Sequence, residues 1–197
     1  LVSQMAAGLW AAHQAGIVHR DLKPGNVILV ANGSGPRVVV TDFGLARSAE
    51  EPGSSSVTGA LGMVGTSAYI SPEQVEGRDV TATSDIYSLG VVLYEMVTGV
   101  KPFFSDTALA TAVMRLKEEP ASPRVHRPDL DGRWERAILR CLRVSPGDRF
   151  ATVDEVFQHA FVGVAERIAE LEAKREAAEK RRRAKARAAR RMKSTPK

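Results

Sequence analysis

Apolar positions along this chain recur at two spacings, and the change between them marks out its elements. Val2, Met5, Ala6, Leu9 and Ala12-His13 recur every three or four positions, so residues 1–15 are expected to form an amphipathic helix. Gly16 is a natural stop for it. Two runs rich in β-branched residues, Val27–Val30 and Arg37–Val40, flank a Gly/Pro-containing turn and predict a hairpin. Residues 47–65 are polar and rich in Gly and Ser, a length of loop that compact domains usually keep for function. Residues 85–97 are apolar on nearly every side, which predicts a helix buried in the middle of the domain, stopped by Gly99 and Pro102. Helical patterns follow at residues 106–117, 134–142 and 153–161, with a Pro-rich extended stretch at 118–130. From Val164 the pattern runs on through Ile168 and Leu171. Large apolar residues then vanish until Met192, leaving Ala, Glu, Lys and Arg, all good helix formers. The expectation is a mainly α body over residues 1–162, with one short β-hairpin, and a solvated basic helix over 163–197. No repeat of 20–50 residues is visible.

The hairpin gives the flanking polar residues a meaning. Asn26 stands just before its first strand and Asp42 just after its second, so closing the hairpin brings two oxygen ligands towards one spot. Hard oxygens of this kind suit a phosphate-bound cation such as Mg²⁺. Immediately upstream, the loop at residues 19–26 packs an acid (Asp21), a base (Lys23) and an amide (Asn26) into one short stretch.

His19-Arg20-Asp21-Leu22-Lys23-Pro24-Gly25-Asn26, answered by Asp42-Phe43-Gly44, resembles the catalytic loop and metal-binding loop of the protein kinases. Gly65-Thr66 through Ser71-Pro72-Glu73 is similar to the family's Ala-Pro-Glu segment, with Ser71 in place of Ala. Cys141-Leu142 through Pro146 to Arg149 is similar to its closing motif. The resemblance covers residues 1–162 and is to the large helical lobe alone; a small lobe with a Gly-rich phosphate loop and a strand lysine is not supplied by this chain. It implies ATP-dependent phosphorylation of protein Ser/Thr residues. Asp21 would be the catalytic base, Lys23 an ammonium near the transferring phosphate, Asn26 and Asp42 the Mg²⁺ ligands, and Ile28 the residue beneath the nucleotide base. Thr66 would hydrogen-bond near Asp21 and Lys23. The same resemblance implies an interior Glu73–Arg149 pair, an Asp85 that bonds the catalytic-loop backbone, and packing of His19 with Phe43. Arg20 would receive a phosphorylated loop residue, for which Thr58 is the candidate, eight residues before Thr66. The wording of Lys23-Pro24-Gly25-Asn26-Val27 and of residues 84–99 is closest to bacterial serine/threonine kinases, a signalling class.

Charge and cysteine content narrow the alternatives. Between residue 173 and the C-terminus twelve Lys and Arg face two Glu, a net of +10, so the first 172 residues carry −5 of the chain's overall +5. The basic character belongs to the tail. It has no aromatic residue for base stacking, which disfavours nucleic acid; an anionic membrane surface fits it better. Cys141 is the only cysteine, so no intrachain disulfide is possible, and its apolar setting predicts a buried, inert thiol. No apolar run reaches the roughly 18–20 residues of a membrane span and no secretory signal is visible; the expected location is the cytoplasm or the cytoplasmic face of the membrane. The first residue, Leu1, already lies in a helical pattern, as expected of a fragment. An inactive lobe acting as a binding module is the competing reading; it has no need of Asp21, Asn26 and Asp42 together.

Overall fold

The computed structural model describes residues 1–31, 35–43 and 68–161. Its contacts divide the chain into Leu1–Ala160 and Phe161–Lys197. The described part is mainly helical, with one two-stranded antiparallel sheet. Thr58, Thr66 and the expected tail helix lie outside the described residues.

Helix α1 (Val2–Gln14) buries Val2, Met5, Ala6 and Leu9, the stripe that their spacing defines. It ends before Gly16, whose φ of 75° is left-handed and costs a residue without Cβ little. The helix lies along strand β2 (Arg37–Val40), which pairs with β1 (Val27–Val30) in the register Val27↔Val40 to Val30↔Arg37. Gln4 ties the two elements together: its Oε1 accepts from Val38 N at 2.7 Å and its Nε2 donates to Pro36 O at 3.3 Å. The sheet edge that β2 would leave open is thereby partly satisfied.

Short helix α2 (Pro72–Val75), which the apolar pattern did not mark, starts from a capping box in which Ser71 and Gln74 satisfy each other's backbone donors. Central helix α3 (Ala82–Thr98) begins three residues earlier than its apolar pattern. The cause is another capping box, Thr81 with Ser84, which recruits polar residues into the first turn. Every residue from Ser84 to Tyr94 is buried, as a helix apolar on all sides requires, and Gly99 closes it at φ 77°. Helix α4 (Ala108–Lys117) is capped by Thr107, whose side chain accepts from Ala110 N, and α5 (Gly132–Cys141) by Asp131, which accepts from Arg133 N. Each of these two starts two residues away from its apolar pattern, displaced to the cap. Helix α6 (Val153–Phe161) completes the set.

Helix α5 packs directly on α3, and Gly90 is what lets it. A Cβ at Gly90 would lie 2.6 Å from Cys141 Cβ, closer than packed carbons approach. Cys141 is fully buried in this contact, and burial pushes its thiol up to about 12. At neutral pH the nucleophilic thiolate is therefore essentially absent. Among the described residues, no helix is long and apolar enough to cross a membrane.

Candidate active site

The loop between α1 and β1 is shaped by one carboxylate. Asp85, fully buried in the first turn of α3, accepts His19 N on Oδ2 at 2.7 Å and Arg20 N on Oδ1 at 2.8 Å. Its Oδ2 also accepts from His13 Nε2 at 2.8 Å. Arg20 adopts φ 70°, a left-handed conformation that costs a non-glycine residue on the order of 1–2 kcal/mol. Two charge-assisted bonds to adjacent amides, with Gln74 Nε2 donating to Arg20 O at 2.7 Å, hold that turn. Its effect is to present Asp21, the next residue.

Asp21 is itself fixed on three sides. Its backbone N–H donates to His19 Nδ1 at 3.3 Å, and its Oδ2 accepts from Lys23 Nζ at 2.7 Å and from Asn26 Nδ2 at 3.3 Å. Among the described residues Oδ1 carries no hydrogen bond, so one carboxylate oxygen is left for an incoming donor. The His19 ring is placed by Thr41 O, 2.9 Å from Nε2, so Nε2 carries the hydrogen and Nδ1 is the acceptor that Asp21 uses. On its other face His19 packs against Phe43, ring centroids 4.6 Å apart. Residues of the 19–26 loop and of the hairpin thus form one unit.

The far end of that unit carries the candidate cation ligands. Asn26 closes a 3-10 turn started by Pro24, and its carbonyl accepts Thr41 N at 2.9 Å, one step beyond the Val27↔Val40 pair. Its Nδ2 is spent on Asp21 O at 2.8 Å and on the Asp21 side chain, which leaves Oδ1 as the amide atom able to meet a cation. Asp42 follows Thr41, exposed and at φ 62°, a conformation that turns the chain out of the strand. One amide and one carboxylate oxygen fit a hard cation that completes its shell with water and phosphate. Among the described residues no group of three His, Cys, Asp or Glu could hold a metal without such help. Strand β1 beside them exposes Ile28, Leu29 and Val30, an apolar surface where a sheet would ordinarily be covered.

Glu73 and Arg149 form the interior ion pair. Arg149 Nη1 and Nη2 reach Glu73 Oε1 and Oε2 at 2.7 and 2.8 Å, and Ser84 Oγ donates to Oε1 at 2.6 Å. Burial alone would raise the Glu73 carboxyl; the Arg149 and Ser84 hydrogen bonds outweigh it and hold the group below the usual carboxylate range. Three contacts here were not legible in the sequence. His13 looks like one more member of an apolar stripe, and its polar type at a buried spacing was the only signal. Gln74 is readable as a capping-box residue, but not its reach to Arg20. Arg115 looks like a solvated helix residue and is buried.

This arrangement defines a class. Residues 1–162 match the protein kinase domain, and the chain belongs to that family. Among its relatives is serine/threonine-protein kinase PknB of Mycolicibacterium smegmatis, 38% identical over 156 residues, which are 79% of this chain and 24% of that protein. Serine/threonine-protein kinase PkaA of Streptomyces coelicolor is 44% identical over 149 residues, 76% of this chain and 26% of that protein. The crystal structure of a double mutant of the Mycobacterium tuberculosis PknI kinase domain superposes with a TM-score of 0.59 at 27% identity. That match covers 81% of this chain and 52% of the other. The chain therefore spans about a quarter of these curated relatives and about half of a kinase-domain structure.

Proposed function

We propose that this chain is the large lobe of an ATP-dependent protein serine/threonine kinase, working with a small lobe that these 197 residues do not supply. The observation that carries this is Asp21, held by Lys23 and Asn26 with Oδ1 left open, one loop away from the oxygen pair Asn26 and Asp42. In this reading Asp21 orients the acceptor hydroxyl of Ser or Thr through Oδ1 and accepts its proton. Lys23 releases Asp21 Oδ2 far enough to share its charge with the phosphoryl oxygens. Asn26 and Asp42 hold the Mg²⁺ of MgATP, and that ion, when bound, neutralises charge on the phosphates. Ile28, with the apolar exposure of β1, receives the nucleotide base. Thr66 steadies Asp21 and Lys23, and Arg20 takes the phosphate of Thr58. Positioning and electrostatics supply most of such a reaction's acceleration, so the fixed geometry of the loop is the catalytic asset.

The test is a phosphoryl-transfer assay with MgATP and a generic protein substrate, on the chain alone and joined to a small lobe of a bacterial relative. The joined protein is expected to phosphorylate Ser and Thr and to carry phosphate on Thr58. The chain alone is expected to show little activity. Strong activity from residues 1–197 by themselves, or none from the joined protein, would refute the reading.

The tail is proposed to hold the protein at the cytoplasmic face of a membrane. Its net +10 is worth about 1 kcal/mol per basic residue close to an anionic surface, and with Met192 as its single large apolar residue it favours shallow contact that salt removes. Vesicle sedimentation with and without residues 173–197 tests this. The full chain is expected to sediment with anionic vesicles at low salt only; equal sedimentation of both forms would end the membrane reading.

A further inference from the structure

Among the described residues Arg115 and Arg149 are the two largest fully buried side chains, and they are treated in opposite ways. Arg149 spends its donors on both Glu73 oxygens and on the carbonyls of Arg143, Thr83 and Val144. Arg115, on α4, makes one hydrogen bond, from Nη2 to Ala68 O at 2.9 Å. Its Nε and Nη1 find no well-aligned acceptor among the described residues; the Tyr87 hydroxyl lies against the guanidinium and favours its charge, but less than burial opposes it. Desolvation holds the guanidinium below its ordinary range, without the carboxylate that would compensate it.

An apolar side chain at position 115 would remove this cost, and buried charges exchanged for apolar groups are often neutral or stabilising. A buried polar group left short of partners asks for an explanation other than stability. The single contact says where to look. Ala68 opens the segment that runs through Ser71 to Gln74, and Gln74 donates to Arg20 O, beside Asp21. The segment Ala68–Gln74 thus runs from Arg115 to the backbone beside Asp21, and the kinase reading makes it one wall of the peptide's site. The rest of the wall is anchored by other means. Ile70 and Val75 pack on Ala112 and Leu116 of α4, Ser88 Oγ donates to Tyr69 O at 2.8 Å, and the Tyr69 hydroxyl donates to Glu95. Among the described residues, Arg115 supplies the side-chain hydrogen bond to Ala68.

We propose that Arg115 is a positioning residue for the protein substrate, locking the Ala68–Tyr69 end of the wall beside Asp21 at the expense of fold stability. The inference rests on the kinase reading for its substrate, but its mechanical half does not. Two variants test it, Arg115→Met as a neutral near-isostere and Arg115→Lys as the conservative form. In the chain itself, amide hydrogen exchange and thermal unfolding are measured. Arg115→Met is expected to leave Tm unchanged or raised while exchange speeds at residues 68–71 and nowhere else. In the chain joined to a small lobe, KM for a peptide substrate is expected to rise on the order of tenfold, the loss of one charged hydrogen bond. KM for ATP and kcat should move less than about twofold, and Arg115→Lys should recover part of the peptide KM. A fall in Tm or loss of folding with Arg115→Met, unchanged exchange at 68–71, or an unchanged peptide KM would each overturn the proposal. If the unsubstituted joined protein phosphorylates nothing, the kinase reading fails and takes the substrate role of Arg115 with it, while a localised exchange effect would still stand as a property of the fold.

Discussion

Asp21→Asn, in the chain joined to a small lobe, is expected to lower phosphoryl transfer by roughly 10²–10⁴-fold, the usual contribution of a general base, while the domain stays folded. The substitution keeps the size of the side chain and removes its basicity. It also reverses part of the local hydrogen bonding. Oδ2 of Asp21 accepts from Lys23 Nζ and Asn26 Nδ2, so an asparagine must turn its oxygen towards those two donors. Its NH₂ then faces outward, where the hydroxyl proton was to be received. The donor that replaces Oδ1 would repel a donor substrate as well as fail to deprotonate it. Stability should change little. The Lys23 and Asp21 side chains keep 24% and 29% of their exposure, and a partly solvated pair of this kind is worth no more than about 1 kcal/mol. Steady-state kinetics and thermal unfolding on the same preparation separate the two effects. Undiminished turnover would remove Asp21 from the base's role, and a collapse in Tm would show that its carboxylate is structural.

What the sequence made legible follows from how local the controlling physics is. The hairpin was readable because two β-branched runs and a Gly/Pro turn act over a dozen residues, and its register then places Asn26 opposite Thr41 without further information. The central helix was readable because burial on all sides leaves an uninterrupted apolar run. Its start was not, because Thr81 and Ser84 are polar residues that turn helical only when each caps the other's backbone. The loop residues around Asp21 were recognisable by type and spacing. What holds them was recognisable only in part, because Asp85 lies more than sixty positions away and His13 reaches it from another helix. Arg115 marks the limit most clearly. An arginine at helical spacing reads as solvated whichever way its helix faces, and α4 turns it inward because Ala112 and Leu116 are drawn to Ile70 and Val75.

Glu73 and Arg149 are separated by 76 positions, and breaking that pair is expected to cost about 3–5 kcal/mol of folding stability. The two sides should not be equal. Glu73→Gln keeps an acceptor for Arg149 and Ser84 but leaves the guanidinium charge buried among neutral groups. Arg149→Met leaves the Glu73 carboxylate with Ser84 as its side-chain partner and also takes a donor from the carbonyls of Thr83, Arg143 and Val144, so it should lie at the upper end. The double variant Glu73→Leu/Arg149→Met removes the uncompensated charge but not those carbonyls, and should recover only part of the loss. The pH dependence identifies the carboxylate. Its folded pKa lies below the ordinary value of 4.5, so the native state binds the proton less readily than the unfolded chain does. Its contribution is therefore fully present above that value and is lost as pH falls through the folded pKa. The stability gap between the natural chain and Glu73→Gln should then be widest near neutral pH and narrow as the solution is acidified below about 4.5. Urea unfolding at neutral and at acid pH reads this directly. A gap that stays constant with pH, or a Glu73→Gln form as stable as the natural chain at neutrality, would mean that the pair does not carry the ionisation-linked stability its geometry assigns to it.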